Sequence, residues 1–189
     1  AGLTVSYSPF ANFDPTPIAA ALSRYPYGCS EQLASTGYAA LFSVASGGGA
    51  KARMALAASV SKLLDREALD GSFGLWQVGD GEADPWTGAF IVDFLLDAKA
   101  MGAPVPDEAI GRAVSAMRSV SQTDGYTSVG YRMQTYGGYG RTSDKDRQAT
   151  ERLRSRAAAY ALYVMAKSGH GDLGRLRWFH DAGFDKEPS

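Results

Sequence analysis

The pattern of apolar and polar positions changes once, near the start of the chain. Residues 3–7 read Leu-Thr-Val-Ser-Tyr, a strict alternation that predicts a half-buried strand, and no nearby segment offers it a partner. From there the spacing is helical. Asp14-Pro15 and Thr16-Pro17 each set a capping residue before a proline suited to a first helical position. They predict a short helix through Ile18–Arg24, which Tyr25-Pro26-Tyr27-Gly28 breaks. Leu33, Tyr38, Leu41, Phe42 and Ala45 keep a helical period up to Gly47-Gly48-Gly49. A second helix carries Met54, Ala57, Val60 and Leu64, to about Leu69. Asp84-Pro85 opens a third, in which Phe90, Ile91, Val92, Phe94, Leu95, Leu96, Ala98 and Met101 leave almost no polar side. A helix apolar nearly all round is a buried one. Gly102 ends it, and Pro106-Asp107-Glu108 opens a fourth with its acids at the positive end of the helix dipole. Ile110, Val114 and Met117 form the buried face of that helix. A Gly/Tyr/Ser-rich loop over 122–143 precedes a fifth helix at about 146–167, with Tyr160 and Val164 turned inward. Gly169 stops it, and Asp172 caps a sixth that runs through Phe179.

The recurrence in this order is informative. Glycine stops at 47, 102 and 169 are 55 and 67 residues apart, and each is followed by a short connection and another helix. Two of the linkers between pairs place Asp-Gly near an aromatic, in Asp70-Gly71-Ser72-Phe73 and Asp124-Gly125-Tyr126. This is the spacing of stacked helical hairpins. Buried helices alternating with amphipathic ones predict an all-α fold, an α/α toroid with inner and outer helices, or an open part of one. A plain helical bundle is the simpler alternative.

Composition narrows the chemistry. The 189 residues are 45% hydrophobic and 21% charged, a globular balance for one domain or one and part of another. With 19 Lys+Arg against 20 Asp+Glu, nothing favours nucleic acid or an anionic membrane surface. The mixed charges from Arg141 to Arg156 fit a solvated helix face. No stretch has the length and apolarity of a membrane span, and no Lys/Arg-headed apolar segment opens the chain, so a signal peptide is expected to be absent or already removed. One cysteine excludes an internal disulfide framework or a multi-cysteine zinc site, and two distant histidines make a metal centre or metal cofactor a poor reading.

That cysteine stands in the one chemically conspicuous segment, Tyr25-Pro26-Tyr27-Gly28-Cys29-Ser30-Glu31-Gln32. A lone cysteine is most often a small buried hydrophobe. Cys29, however, follows Pro and Gly where a helix should begin, and the helix dipole there stabilises a thiolate. Gln32 lies three residues on, which in a first helical turn sets both side chains on one face. A thiol beside a carboxamide carbonyl can expel ammonia and close an internal thioester, an acyl bond that an incoming amine or hydroxyl opens. By itself Cys-x-x-Gln is a common pattern.

The surrounding residues make it specific. Gly28-Cys29-Ser30-Glu31-Gln32 resembles the Gly-Cys-x-Glu-Gln thioester motif of the α2-macroglobulin and complement C3 superfamily, and Tyr25-Pro26-Tyr27 resembles its bacterial branch. Asp70-Gly71-Ser72-Phe73-Gly74, Trp86-Thr87-x-Ala89-Phe90 and Tyr160-Ala161-Leu162-Tyr163-Val164 after Arg156-Ala157 are similar to further motifs of the family's thioester domain. The likeness runs from about Pro9 onward. It implies an α/α toroid inserted in a CUB β domain, so residues 1–10 would end that flanking domain and 11–189 would form the toroid. The family toroid is longer than this chain, and further C-terminal hairpins and a returning CUB strand are expected. The resemblance also implies a broad-spectrum protease inhibitor of the periplasm or cell envelope, with anchoring to the membrane as a lipoprotein through the rest of its chain. In the family a protease cleaves a bait region, the thioester is exposed, and surface lysines of the protease are captured once. Such a protein is a single-turnover covalent trap and not an enzyme. Its partners would be proteases and the CUB and macroglobulin-like domains of its own chain.

Residue by residue, the resemblance makes Cys29 the thiol partner and Gln32 the acyl donor, with Gly28, Glu31, Tyr25 and Tyr27 as motif neighbours. Glu31 suits the helix dipole and is also placed to polarise the site. Tyr25 and Tyr27 suit either shielding the bond from water or packing at a helix junction. Phe73, Trp76 and Trp86 are expected as core and loop anchors. Complement-like members carry a histidine after the Trp-Thr-x-Ala helix pair, which redirects the acyl group to hydroxyls. Here that loop reads Tyr131-Arg132-Met133-Gln134-Thr135, and His170 and His180 fall in the last helix pair as surface or packing residues. Direct attack by an amine is therefore expected. Two readings from other classes stay open: an α/α-barrel enzyme with Cys29 as nucleophile, which needs a general base in reach, and a helical-repeat binding module in which the thiol is inert.

Overall fold

The computed structural model describes residues 17–18, 21, 28–81, 83–122 and 144–183. The expected strand at 3–7, Tyr25, Tyr27 and the loop containing Tyr131–Thr135 lie outside the described residues. Six helices follow in order: α1 (Ser30–Ala45), α2 (Gly49–Leu64), α3 (Pro85–Ala100), α4 (Asp107–Ser121), α5 (Asp144–Lys167) and α6 (Leu173–Gly183). Among the described residues the fold is all-α, with a single β-bridge between Glu67 and Phe73.

The helix boundaries follow local chemistry. Asp84 caps α3 by accepting Thr87 N–H at 2.7 Å, with Pro85 at the first position, and Asp172 caps α6 by accepting Arg175 N–H at 2.9 Å. The three glycine stops share one geometry. Gly47, Gly102 and Gly169 have φ of 84°, 83° and 81°, a region that side chains disfavour. At each, two N–H groups turn back onto the last carbonyls: Gly47 and Gly48 onto Val44 and Ser43, Gly102 and Ala103 onto Lys99 and Ala98, Gly169 and His170 onto Ala166 and Met165. These are Schellman closures, and they end α1, α3 and α5 alike.

Those three helices also pack side by side, α1 on α3 and α3 on α5. The others lie behind them: α2 packs on α1, α4 on both α3 and α5, and α6 on α5. This is the two-layer order of an α/α toroid. Ile91, Val92, Phe94 and Leu95 of α3 are fully buried at its centre, as their near-continuous apolar sequence predicts. A polar tie runs through the first layer. Asp93 accepts Tyr160 O–H at 2.8 Å and pairs with Lys167 at 2.6 Å, and Lys167 also pairs with Asp97 at 2.6 Å. Burial first, then the nearby carboxylate of Asp93, holds the Tyr38 hydroxyl far above the ordinary tyrosine value. Burial and the bond to Asp93 do the same to Tyr160.

Three readings of the pattern need correction. The glycine triplet does not separate α1 from α2 as a whole, because Gly49 already begins α2. The second helix ends at Leu64, short of Leu69, which is 95% exposed in the connection that follows. The buried faces are also rotated. α1 turns inward Leu33, Ala34, Gly37, Ala40 and Val44, leaving Phe42 and Ala45 exposed, and α2 buries Ala52, Leu56, Val60 and Leu63, leaving Met54 exposed. Small residues win on α1 because α3 approaches closely: the Tyr38 ring packs tilted on Phe90 and edge-on to Phe94, with ring centres 5.4 and 5.3 Å apart, and a Cβ at Gly37 would meet the Phe94 ring. Of the expected anchors, Phe73 is buried, Trp86 is half exposed against Tyr160 at 4.8 Å, and Trp76 is exposed at the surface.

Candidate functional site

Cys29 is the residue just before α1, in an extended conformation with φ −66° and ψ 160°, and it is buried and unpaired. Gln32 occupies the third helical position. Its Oε1 accepts the Cys29 backbone N–H at 3.3 Å, and Cys29 Sγ faces the Gln32 N–H in return. The two side chains thus form the reciprocal arrangement of a capping box, with sulfur in place of the usual hydroxyl. Glu31 is exposed in the first turn, where its charge suits the dipole, and Gly28 is half-buried.

The turn does not stand alone. The connection between α2 and α3 lies over it as a strap. Ser30, completely buried, donates from Oγ to Gly74 O at 2.6 Å and from its N–H to Leu75 O at 2.8 Å. Arg66, just past α2, donates from Nη1 to Ser30 Oγ at 3.1 Å and to Leu75 O at 2.8 Å. Asp80 organises the strap from within, its carboxylate accepting the N–H groups of Leu75, Trp76 and Gln77 at 3.0, 2.7 and 3.0 Å. The base of the strap is fastened to α4. Glu67, with its side chain 2% exposed, pairs with Arg112 at 2.8 Å, and a Cβ on Gly71 (φ 80°) would run into the Arg112 carbonyl. Burial pushes the Glu67 carboxyl above its ordinary value, with Arg112 pulling the other way.

The structure therefore brings together Gly28, Cys29, Glu31 and Gln32. It sets both histidines elsewhere: His170 is exposed between α5 and α6 on Ser168, and His180 is exposed beside Asp181. Ser30, Arg66 and Asp80 carry much of the site's support and were not singled out in the sequence. The Asp70-to-Gly74 motif was the available signal, since it opens the strap. Among the described residues no group of three or more His, Cys, Asp or Glu side chains is placed to hold a metal, and no helix is long and apolar enough to cross a membrane.

An alpha-2-macroglobulin of Escherichia coli is 30% identical to this chain over 172 residues, covering 85% of it. This chain is homologous to part of the bacterial alpha-2-macroglobulins. It spans only 9% of that relative's length. Salmonella alpha-2-macroglobulin reacted with methylamine superposes with a TM-score of 0.65 at 30% identity, over 88% of this chain and 10% of that one. Escherichia coli alpha-2-macroglobulin activated by porcine elastase gives 0.63 at 28% identity, over 89% and 15%. No protein-family model matches the chain. The alpha-2-macroglobulin-like region described here thus has the fold of the matching segment in those proteins.

Proposed function

We propose that this region is the thioester-bearing part of a bacterial alpha-2-macroglobulin-like protease trap, with Cys29 as thiol partner and Gln32 as acyl donor. The observation that carries the proposal is the reciprocal pairing of Cys29 and Gln32 at the start of α1, with the sulfur buried. In the bond-forming step Cys29 Sγ attacks Gln32 Cδ, the Cδ–Nε2 bond breaks, and ammonia leaves with the thiol proton. The Cys29 N–H, which now points at Gln32 Oε1, is placed to stabilise charge developing on that oxygen. In the capture step an amine of the protease attacks Cδ, the Cδ–Sγ bond breaks, and the sulfur leaves as a thiol. The protease is left joined to Gln32 by an amide, so the site works once. Exclusion of water preserves the acyl bond until then, and burial of Cys29 serves that end. The methylamine-reacted Salmonella protein and the elastase-activated Escherichia coli protein support amines and proteases as the reacting partners. The same reading puts the parent protein in the periplasm or cell envelope.

A plain capping box, with an inert thiol, would share the observed hydrogen bond. Intact mass separates the two. The expected result is a mass one ammonia below that of the sequence, then a gain of one methylamine with release of a titratable thiol. Cys29→Ala and Gln32→Ala should each abolish the gain. A full sequence mass with a thiol already titratable before amine is added would overturn the proposal.

A further inference from the structure

We propose that Arg66 is a positioning residue for Cys29 and Gln32, holding the first turn of α1 closed against solvent; the inference rests on the thioester reading above. Ser30 lies between the two reacting residues in sequence and has no exposed surface. Its hydroxyl and its N–H both bond to the strap or to Arg66. Its hydroxyl gives its proton to Gly74 O and accepts Arg66 Nη1, while its N–H, one of the first-turn donors that a helix leaves unmatched, goes to Leu75 O. Leu75 O also receives Arg66 Nη1, so a single guanidinium nitrogen bridges the turn and the strap. Arg66 grips the strap by its main chain too, its carbonyl accepting Gly74 N–H at 3.0 Å. Gly74 fits there because a Cβ would collide with Gln77 O.

Helix ends open more readily than helix centres. Opening of this turn would carry Cys29 out of its buried position and expose its bond to Gln32 to solvent. Arg66 opposes opening with its charge-assisted bond to Ser30 Oγ, of the kind whose loss raises an opening equilibrium by about tenfold or more. The site's reactivity is then set by a residue that never touches the reacting atoms.

The test measures methylamine capture by the intact protein, followed by mass, in wild type, Arg66→Ala, Arg66→Lys and Val114→Ala. Val114→Ala, in the buried face of α4, serves as a control for loss of stability without loss of the clamp. The expected result is capture about tenfold faster in Arg66→Ala, with Arg66→Lys between it and wild type, because one ammonium nitrogen can replace the one nitrogen that bridges. Val114→Ala should capture at the wild-type rate although it melts earlier. Equal rates in wild type and Arg66→Ala, or equal acceleration by Val114→Ala, would overturn the inference. A mass with no ammonia lost sinks the thioester reading instead. The clamp is then read from the rate at which an aromatic disulfide reagent modifies Cys29, where the same order of variants supports it and equal rates dismiss it.

Discussion

Glu67 is a carboxylate whose charge the fold opposes. Among the described residues its Oε1 is buried without a hydrogen-bond partner, and its ionic partner Arg112 is partly exposed. Burial raises its pKa above the ordinary glutamate value in the folded state. Stability linked to such a group is fully present below the unfolded value and is lost as pH rises through the folded one. Urea unfolding from pH 4 to 7.5 should therefore show a decline that Glu67→Gln flattens, and an unchanged slope would remove the argument. Asp80 presents the opposite case, a carboxylate whose charge is matched by three N–H groups. Asp80→Ala should cost about 2 kcal/mol in the same assay, with Asp80→Asn losing less because a carbonyl acceptor remains. Legibility in the sequence divides at this scale by distance along the chain. Cys29 and Gln32 are three apart in a recognisable motif, whereas Arg66 and Ser30 meet across 36 residues with no local signature.

At the scale of elements, the strongest sequence signals were the ones written in backbone chemistry. Glycines at 47, 102 and 169 became three matching closures, and Asp84 and Asp172 became caps, because each depends only on its own few neighbours. Helix faces were read less well. The eye follows large residues such as Phe42 and Met54, but α1 meets α3 through Gly37, where close approach outweighs side-chain bulk. Gly37→Ala measures that approach. The substitution gains about 1 kcal/mol of helix propensity and forces a methyl against the buried Phe94 ring, an overpacking cost of about 1–3 kcal/mol. Net destabilisation of about 1 kcal/mol is expected in thermal unfolding. A stabilised variant would mean that the two helices part easily. Between α3 and α5 the tie is polar: burial lowers the Lys167 pKa, but its bonds to Asp93 and Asp97 outweigh that and hold it raised. Lys167→Met would leave two neighbouring carboxylates without their cation, and about 2 kcal/mol should be lost at neutral pH.

For the molecule as a whole, the chemistry depends on what the chain brings to one thioester. The sequence has two histidines, and both stand exposed at the α5–α6 end with partners in their own helix pair. On the proposed reading neither of these imidazoles takes the acyl group from Cys29 and then passes it to a hydroxyl. Direct aminolysis needs only an uncharged amine. Capture should therefore accelerate with pH as more of the protease's lysine, with a reference pKa of about 10.4, loses its proton. Labelled methylamine should be incorporated readily and labelled glycerol poorly, and His170→Ala should leave both unchanged. The comparison is best made between pH 7 and 9, where the rate should rise steadily with the fraction of uncharged amine. Efficient glycerol capture at neutral pH, or loss of labelling in the His170 variant, would show that a histidine reaches the acyl group after all.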